Sequence, residues 1–160
     1  MKYKIFIIIF LLIGWAGVIF YASNKTSTES NKASKNLIKS SLVISIKITN
    51  KLNITDIDIR EQNINKIVEE INYPLRKCAH ATVYFVLAIL IFILLKIIGL
   101  RRNLIILFTI VFCFLFSITD EYHQTFVEER TGQFSDCLID TTGSFIGVSI
   151  MCLIFRKKSK

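Results

Sequence analysis

A single proline and six glycines punctuate the 160 residues, so the chain has few of the residues that end helices and shape turns. No stretch repeats another, and no glycine-rich loop of the kind that cradles phosphates appears. Only four cysteines are present, none at C-x-x-C spacing, and beside so much apolar sequence a disulfide-dense secreted module is excluded. Neither H-E-x-x-H nor a nucleophile elbow occurs, so no standard metal or acyl-transfer motif presents itself. Missing too is the dispersal of apolar residues through amphipathic segments that a soluble enzyme requires. With 52% apolar residues, a disordered chain is excluded as well.

The apolar residues collect instead in four blocks, 5–22, 78–98, 104–119 and 137–155. A bilayer core about 30 Å thick needs about 20 residues as helix, with about 17 to 25 observed. Three blocks fit outright. The third is short, and residues 122–127 can prolong its helix into the interface. The first block is longer than the apolar part of a signal peptide. Tyr21-Ala22-Ser23 is not a clear small-x-small cleavage site, so the block is read as a retained anchor.

Acidic residues are absent from one half of the resulting topology. The N-terminus, the link between spans two and three and the C-terminus carry nine Lys/Arg and no acid. The other side carries eleven Lys/Arg and all twelve acids. The net charge of +8 is therefore a matter of sidedness, and nucleic acid is not an expected partner. The positive-inside rule predicts cytoplasmic termini, with residues 23–77 and 120–136 facing outward. The first outward loop holds ten Lys/Arg, but a loop of that length translocates largely regardless of charge.

Within that loop, residues 23–36 are rich in Ser, Thr, Asn and Lys and predict a flexible tether. Residues 37–52 predict an amphipathic helix on the membrane surface. Thr55 and Asp58 resemble a capping box, and Ile64, Ile67, Val68 and Ile71 predict a second short helix ending near Asn72. Pro74 is expected to break that helix and open the next. Cys113 and Cys152 read as core fillers, while Cys78 and Cys137 lie near the outer face, where a disulfide is geometrically conceivable.

Ionisable residues in lipid are costly and mark function. Three groups stand near the outer ends of the spans. Arg76, Lys77, His80 and Tyr84 open span two, the last three on one helix face. Asp120, Glu121, His123 and Gln124 close span three. Arg130, Ser135, Asp136 and Asp140 open span four, with Ser135 the expected N-cap. Gly143 and Gly147 continue the stripe of Asp140 and predict a packing face. Topology alone brings the cations Arg76, Lys77 and Arg130 toward the anions Asp120, Glu121, Asp136 and Asp140, with His80, Tyr84 and Gln124 among them. His123 reads as a wet interfacial histidine.

Three functions fit this constellation. It can be a polar pocket binding a ligand at the outer membrane face. It can be catalytic, with His80 as general acid or base and Glu121 or Asp120 as its carboxylate. It can be ion pairs that merely tie helices together. A metal is a lesser option, since His and Asp/Glu are suitable ligands but no H-E-x-x-H or similar spacing occurs, so the expectation is no metal and no cofactor.

These residues resemble the VanZ-like family of bacterial membrane proteins. The resemblance rests on Arg76-Lys77-Cys78-Ala79-His80 followed by Tyr84, on Asp120-Glu121-Tyr122-His123-Gln124, and on Arg130, Asp136, Asp140, Gly143 and Gly147. Ala81 departs from a frequent phenylalanine, and Glu128-Glu129 replaces a frequent Pro-Gly that would mark a turn. The family's founding member is linked to teicoplanin resistance. The resemblance implies a bacterial envelope location and says less about chemistry; the reading favoured from the residues is binding of an envelope component, such as a lipid-linked wall precursor or a lipoglycopeptide, at the outward polar pocket.

The expectation is thus an all-α integral membrane protein. Its parts are transmembrane helix 5–22, an extracytoplasmic loop 23–75 with short amphipathic helices, and a core 76–155 with three further spans. Binding ranks above the alternative of a membrane-embedded hydrolase or transferase acting on lipid-linked substrates, and a structural or assembly partner is the third reading. Membrane lipids are the expected surroundings, in the plasma membrane with multiple passes.

Overall fold

A computed structural model describes residues 2–52 and 61–156. Among the described residues there are five helices and no strand: α1 (Lys2–Ser23), α2 (Ser27–Lys51), α3 (Glu61–Ile98), α4 (Arg102–Gln124) and α5 (Phe134–Ile154). Four of them contain windows long and apolar enough to cross a membrane, within Lys2–Ser23, Asn63–Ile98, Arg102–Gln124 and Phe134–Ile154. At 1.5 Å per residue even 21 residues span about 31 Å. The protein is all-helical and multi-pass.

The chain divides into two compact units, one formed by Met1–Lys25 with Ala79–Lys160 and the other by Thr26–Cys78. In the first unit, Tyr84, Leu87, Ala88 and Phe92 of α3 pack with Ile105 and Cys113 of α4 and with Val148 and Met151 of α5. Ile19 joins them from α1, and the Trp15 indole N–H donates to the Val83 carbonyl at 2.9 Å. The outer faces remain apolar: Phe6, Phe10 and Phe20 of α1, Leu107 and Leu115 of α4 and Ile146 and Leu153 of α5 are exposed. Apolar side chains on both the packed and the outer faces are what a lipid surround demands.

α3 and α5 approach closely through glycine. A Cβ on Gly143 would collide with the Ala81 carbonyl, and one on Gly147 would come within 2.8 Å of the Phe85 carbonyl oxygen. Small residues allow this backbone approach where lipid supplies no hydrophobic drive between helices.

In the second unit, Ile38 of α2 packs with Ile64 and Val68 of α3, flanked by Leu42, Ile46 and Leu75. Two expectations are corrected here. Residues 23–36 are not a tether, because α2 already starts at Ser27. Thr26 caps it, accepting from the Glu29 N–H at 3.2 Å, while the Glu29 carboxylate accepts from the Thr26 N–H. Nor does Pro74 break the chain into two helices, since α3 runs through it from Glu61 to Ile98. Proline removes one N–H donor but keeps a helical φ, and a helix of 38 residues retains the rest of its ladder. The Thr55–Asp58 capping box lies outside the described residues.

α4 ends at Gln124, so residues 125–127 do not prolong it. Gln133 rather than Ser135 takes the N-cap position of α5, without a side-chain cap hydrogen bond, and Asp136 lies in the first turn. No disulfide joins Cys78 to Cys137 among the described residues; Cys113 and Cys137 are buried thiols. His123 is half-buried with its ring 4.7 Å from that of Phe20, so it is not a freely wetted side chain.

Candidate functional site

The ends of α1 and α4, the start of α5 and the His80–Tyr84 turn of α3 meet at one end of the first unit. There the chain buries three carboxylates. Asp120 is 8% exposed, Glu121 5% and Asp140 not at all. Transfer of an ionised carboxylate from water into an apolar surround is expensive unless it is partnered, so its neighbours define the chemistry.

Those neighbours are mostly neutral donors. The Ser23 hydroxyl donates to Asp120 Oδ1 at 2.6 Å and ties the end of α1 to α4. Gln124, one turn on, donates from Nε2 to Asp120 Oδ2 at 3.1 Å and to Glu121 Oε1 at 3.2 Å. The Gln133 backbone N–H donates to Glu121 Oε2 at 2.9 Å, fixing the loop before α5 onto α4. Gly132 makes this possible, because a Cβ there would collide with the Glu121 carbonyl. The Ser117 hydroxyl donates to Asp140 Oδ2 at 2.6 Å. Ser144, one turn after Asp140, donates to the Asp140 and Tyr84 carbonyls at 3.1 and 3.4 Å.

The ionisable partner is His80. Its Nδ1 lies 3.6 Å from Asp140 Oδ1, close enough for an ion pair when the ring is protonated but too long for a hydrogen bond. Asp140 Oδ1 is buried without a hydrogen-bond partner, as is the Tyr84 hydroxyl. Buried polar atoms normally find partners, so each such exception calls for an explanation.

Arg130 joins the cluster through an amide. Its Nη1 donates to Gln124 Oε1 at 2.7 Å, and Gln124 in turn serves both Asp120 and Glu121. Arg130 Nη2 also reaches the Ala22 carbonyl at 3.5 Å. Asp136 is half-buried in the first turn of α5, where a carboxylate suits the helix dipole. Arg76 and Lys77 belong to the second unit. Within it Arg76 donates to Asn31 Oδ1 at 2.7 Å, and the Lys77 ammonium lies 5.3 Å from the centre of the Tyr73 ring.

Sequence reasoning did not single out Ser23, Ser117, Ser144, Gly132 or Gln133. Ser117 carried a usable signal, since it stands at i−3 and i−4 to Asp120 and Glu121, on their helix face. Gln133 carried none, because it acts through a backbone N–H that every non-proline residue has.

This arrangement can hold a polar or charged group against preset donors and acceptors, and His80 beside Asp140 is a geometry for proton transfer. No curated protein and no solved structure matches the chain. The VanZ/LLP1 family model matches residues 7–156, which take in all four apolar helices and every residue of this cluster. By that match the chain belongs to the VanZ/LLP1 family.

Proposed function

We propose that the protein sits in the bacterial plasma membrane with both termini cytoplasmic. In this reading it binds the polar part of an envelope component at the outward end of its four-helix unit. The ligand is a lipid-linked wall precursor or a lipoglycopeptide such as teicoplanin, both amphiphiles with a polar head at the depth of the cluster. The observation that carries this reading is the burial of Asp120, Glu121 and Asp140 on neutral donors at one end of otherwise apolar helices. A scaffold can join helices with serine and glycine alone, whereas ionisable groups in a membrane mark a ligand or ion path.

The test uses full-length protein in nanodiscs titrated with a labelled lipid-linked precursor and, separately, with labelled teicoplanin. Saturable binding without product, weakened by Asp120→Asn, supports the proposal. No binding of either ligand sinks it. The sidedness is tested by labelling Gln133→Cys with an impermeant thiol reagent in intact cells. Protection until lysis would reverse the orientation.

A second reading is a membrane-embedded hydrolase or transferase on the same substrates. The His80–Asp140 approach at 3.6 Å favours it, with His80 as general acid or base and Asp140 orienting the ring. Product formed by the wild type and abolished in His80→Ala would establish this reading over simple binding.

A further inference from the structure

We propose that His80, Glu121 and Asp140 form a binding site for one divalent transition-metal ion of borderline hardness, Zn2+ or Mn2+. Each residue offers a ligand atom, and the three atoms lie within 4.8 Å of one another. The proposal concerns the cluster described above but does not rest on its having an envelope ligand.

The donor set comes first. One imidazole nitrogen and two carboxylate oxygens suit Zn2+ or Mn2+ better than Mg2+ or Ca2+, which prefer oxygen throughout. Two ligands each about 2.1 Å from a tetrahedral ion stand roughly 3.4 Å apart. His80 Nδ1 and Asp140 Oδ1 are already 3.6 Å apart, longer than a hydrogen bond and close to that edge. Small side-chain adjustments would draw Glu121 in. Three protein ligands leave a position open for water or for an oxygen of a bound molecule, the pattern of reactive rather than purely structural sites.

An independent observation is an unfilled hydrogen-bond position on one of the ligand atoms. Asp140 is fully buried, yet its Oδ1 has no hydrogen-bond partner and faces the His80 ring. A carboxylate held in this way needs a proton or a cation. The other oxygens are already engaged in the manner of supports behind metal ligands. Ser117 holds Asp140 Oδ2, and Gln124 and the Gln133 N–H hold the two oxygens of Glu121. Such supports orient ligands and strengthen metal binding. Three ligands from three helices, α3, α4 and α5, also explain why no local motif announced the site: the spacing exists only in the fold.

The experiment uses the full-length chain, purified in detergent without a histidine tag and stripped with a chelator. It is titrated calorimetrically with Zn2+, Mn2+ and Mg2+ in the absence of any lipid-linked precursor. About one equivalent of Zn2+ or Mn2+ per chain is expected, with Mg2+ at least tenfold weaker. Glu121→Gln, Asp140→Asn and His80→Ala should each weaken binding by more than tenfold. Ser117→Ala keeps all three ligands and should weaken it by about 10- to 100-fold, the usual effect of removing a support. Glu69→Gln, on the exposed face of the second unit, should change nothing.

Wild-type protein that takes up neither ion overturns the proposal, whatever the variants do. So does binding that survives all three ligand substitutions, or Mg2+ binding as tight as Zn2+ and Mn2+. Metal uptake without precursor or teicoplanin binding would support this site and remove the ligand reading. Ligand binding that is unchanged in protein taking up no metal would do the reverse.

Discussion

Two glutamates, one in each unit, show how differently one chain uses the same side chain. Glu69, in the second unit, pairs with Lys35 at 2.6 Å, and the two side chains are 64% and 36% exposed. Glu121, in the first, is 5% exposed and rests on the Gln124 amide and the Gln133 N–H. Water screens the first pair, which is worth about 0–1 kcal/mol. Nothing screens the second, and the chain has arranged a loop, a glycine and an amide to hold it. The difference teaches that the charge count is a poor guide to where chemistry lies. Burial and the cost of supporting each charge are better guides.

The contrast between a supported interior and a tolerant exterior is tested most severely at glycine. Gly143→Val should disrupt the α3–α5 contact, because its Cβ would occupy the position of the Ala81 carbonyl and backbone cannot rotate away. Overpacking costs about 1–3 kcal/mol where side chains can yield, so a backbone collision should reach or exceed about 3 kcal/mol. Gly14→Val in α1 has nothing within 4 Å and should leave the melting temperature in detergent within error. Equal melting of the two variants would show that α3 and α5 do not approach as described.

The comparison of the glutamates themselves comes next. Glu121→Gln places an amide NH2 where one oxygen accepted a hydrogen bond, leaving a donor facing Gln124 or the Gln133 N–H. A buried unsatisfied group costs about 1–3 kcal/mol, and interhelical hydrogen bonds in membranes average only about 0.6 kcal/mol. A loss of about 1–2 kcal/mol is therefore expected, with loss of ligand binding. Glu69→Gln should cost under about 1 kcal/mol and leave binding intact. Melting curves and binding isotherms on both variants check this, and identical behaviour would dissolve the contrast.

How far the sequence foretold all this follows the same physics. The four apolar helices were plain because a membrane requires long apolar runs that few other folds need. The first helix of the second unit was missed at its start. Its Ser/Thr/Asn-rich opening resembles a linker, although Thr26 and Glu29 stand at the spacing of a capping box. Pro74 misled because a proline in a helix is usually an ending, whereas here enough ladder remains on both sides of it. His80, Glu121 and Asp140 drew attention as ionisable groups in apolar runs. Ser23 and Ser117 did not, because a hydroxyl inside an apolar helix reads as a small filler until a carboxylate from another helix is found beside it. A metal is only a lesser option in the sequence, since sequence motifs for metals register neighbours along one helix and this trio is spread over three.

The capping box is the second unit's own counterpart to the buried supports. Thr26→Ala removes the acceptor for the Glu29 N–H and should cost about 1 kcal/mol, felt as faster amide exchange in the first turns of α2. The first unit's exchange should be unchanged, and protection lost evenly across both units would contradict their description as separate compact bodies.

The smallest effect is expected in the turn between α4 and α5. Glu129 has φ of 62°, in the left-handed region that glycine enters freely and other residues enter at a cost. At Glu129 the turn between α4 and α5 therefore has a backbone shape that glycine adopts at the least cost. Glu129→Gly relieves that strain but gives the unfolded chain more freedom, and the two effects oppose each other. The left-handed cost of about 1–2 kcal/mol exceeds the glycine penalty of about 0.5–1 kcal/mol. A net gain of about 0.5–1 kcal/mol is expected, seen as a small rise in melting temperature with the Gln133 N–H bond to Glu121 still protected from exchange. Glu129→Ala keeps the strain and should give no gain. A rise in both variants would mean that removing a negative charge, rather than relieving the backbone, is what stabilises the turn.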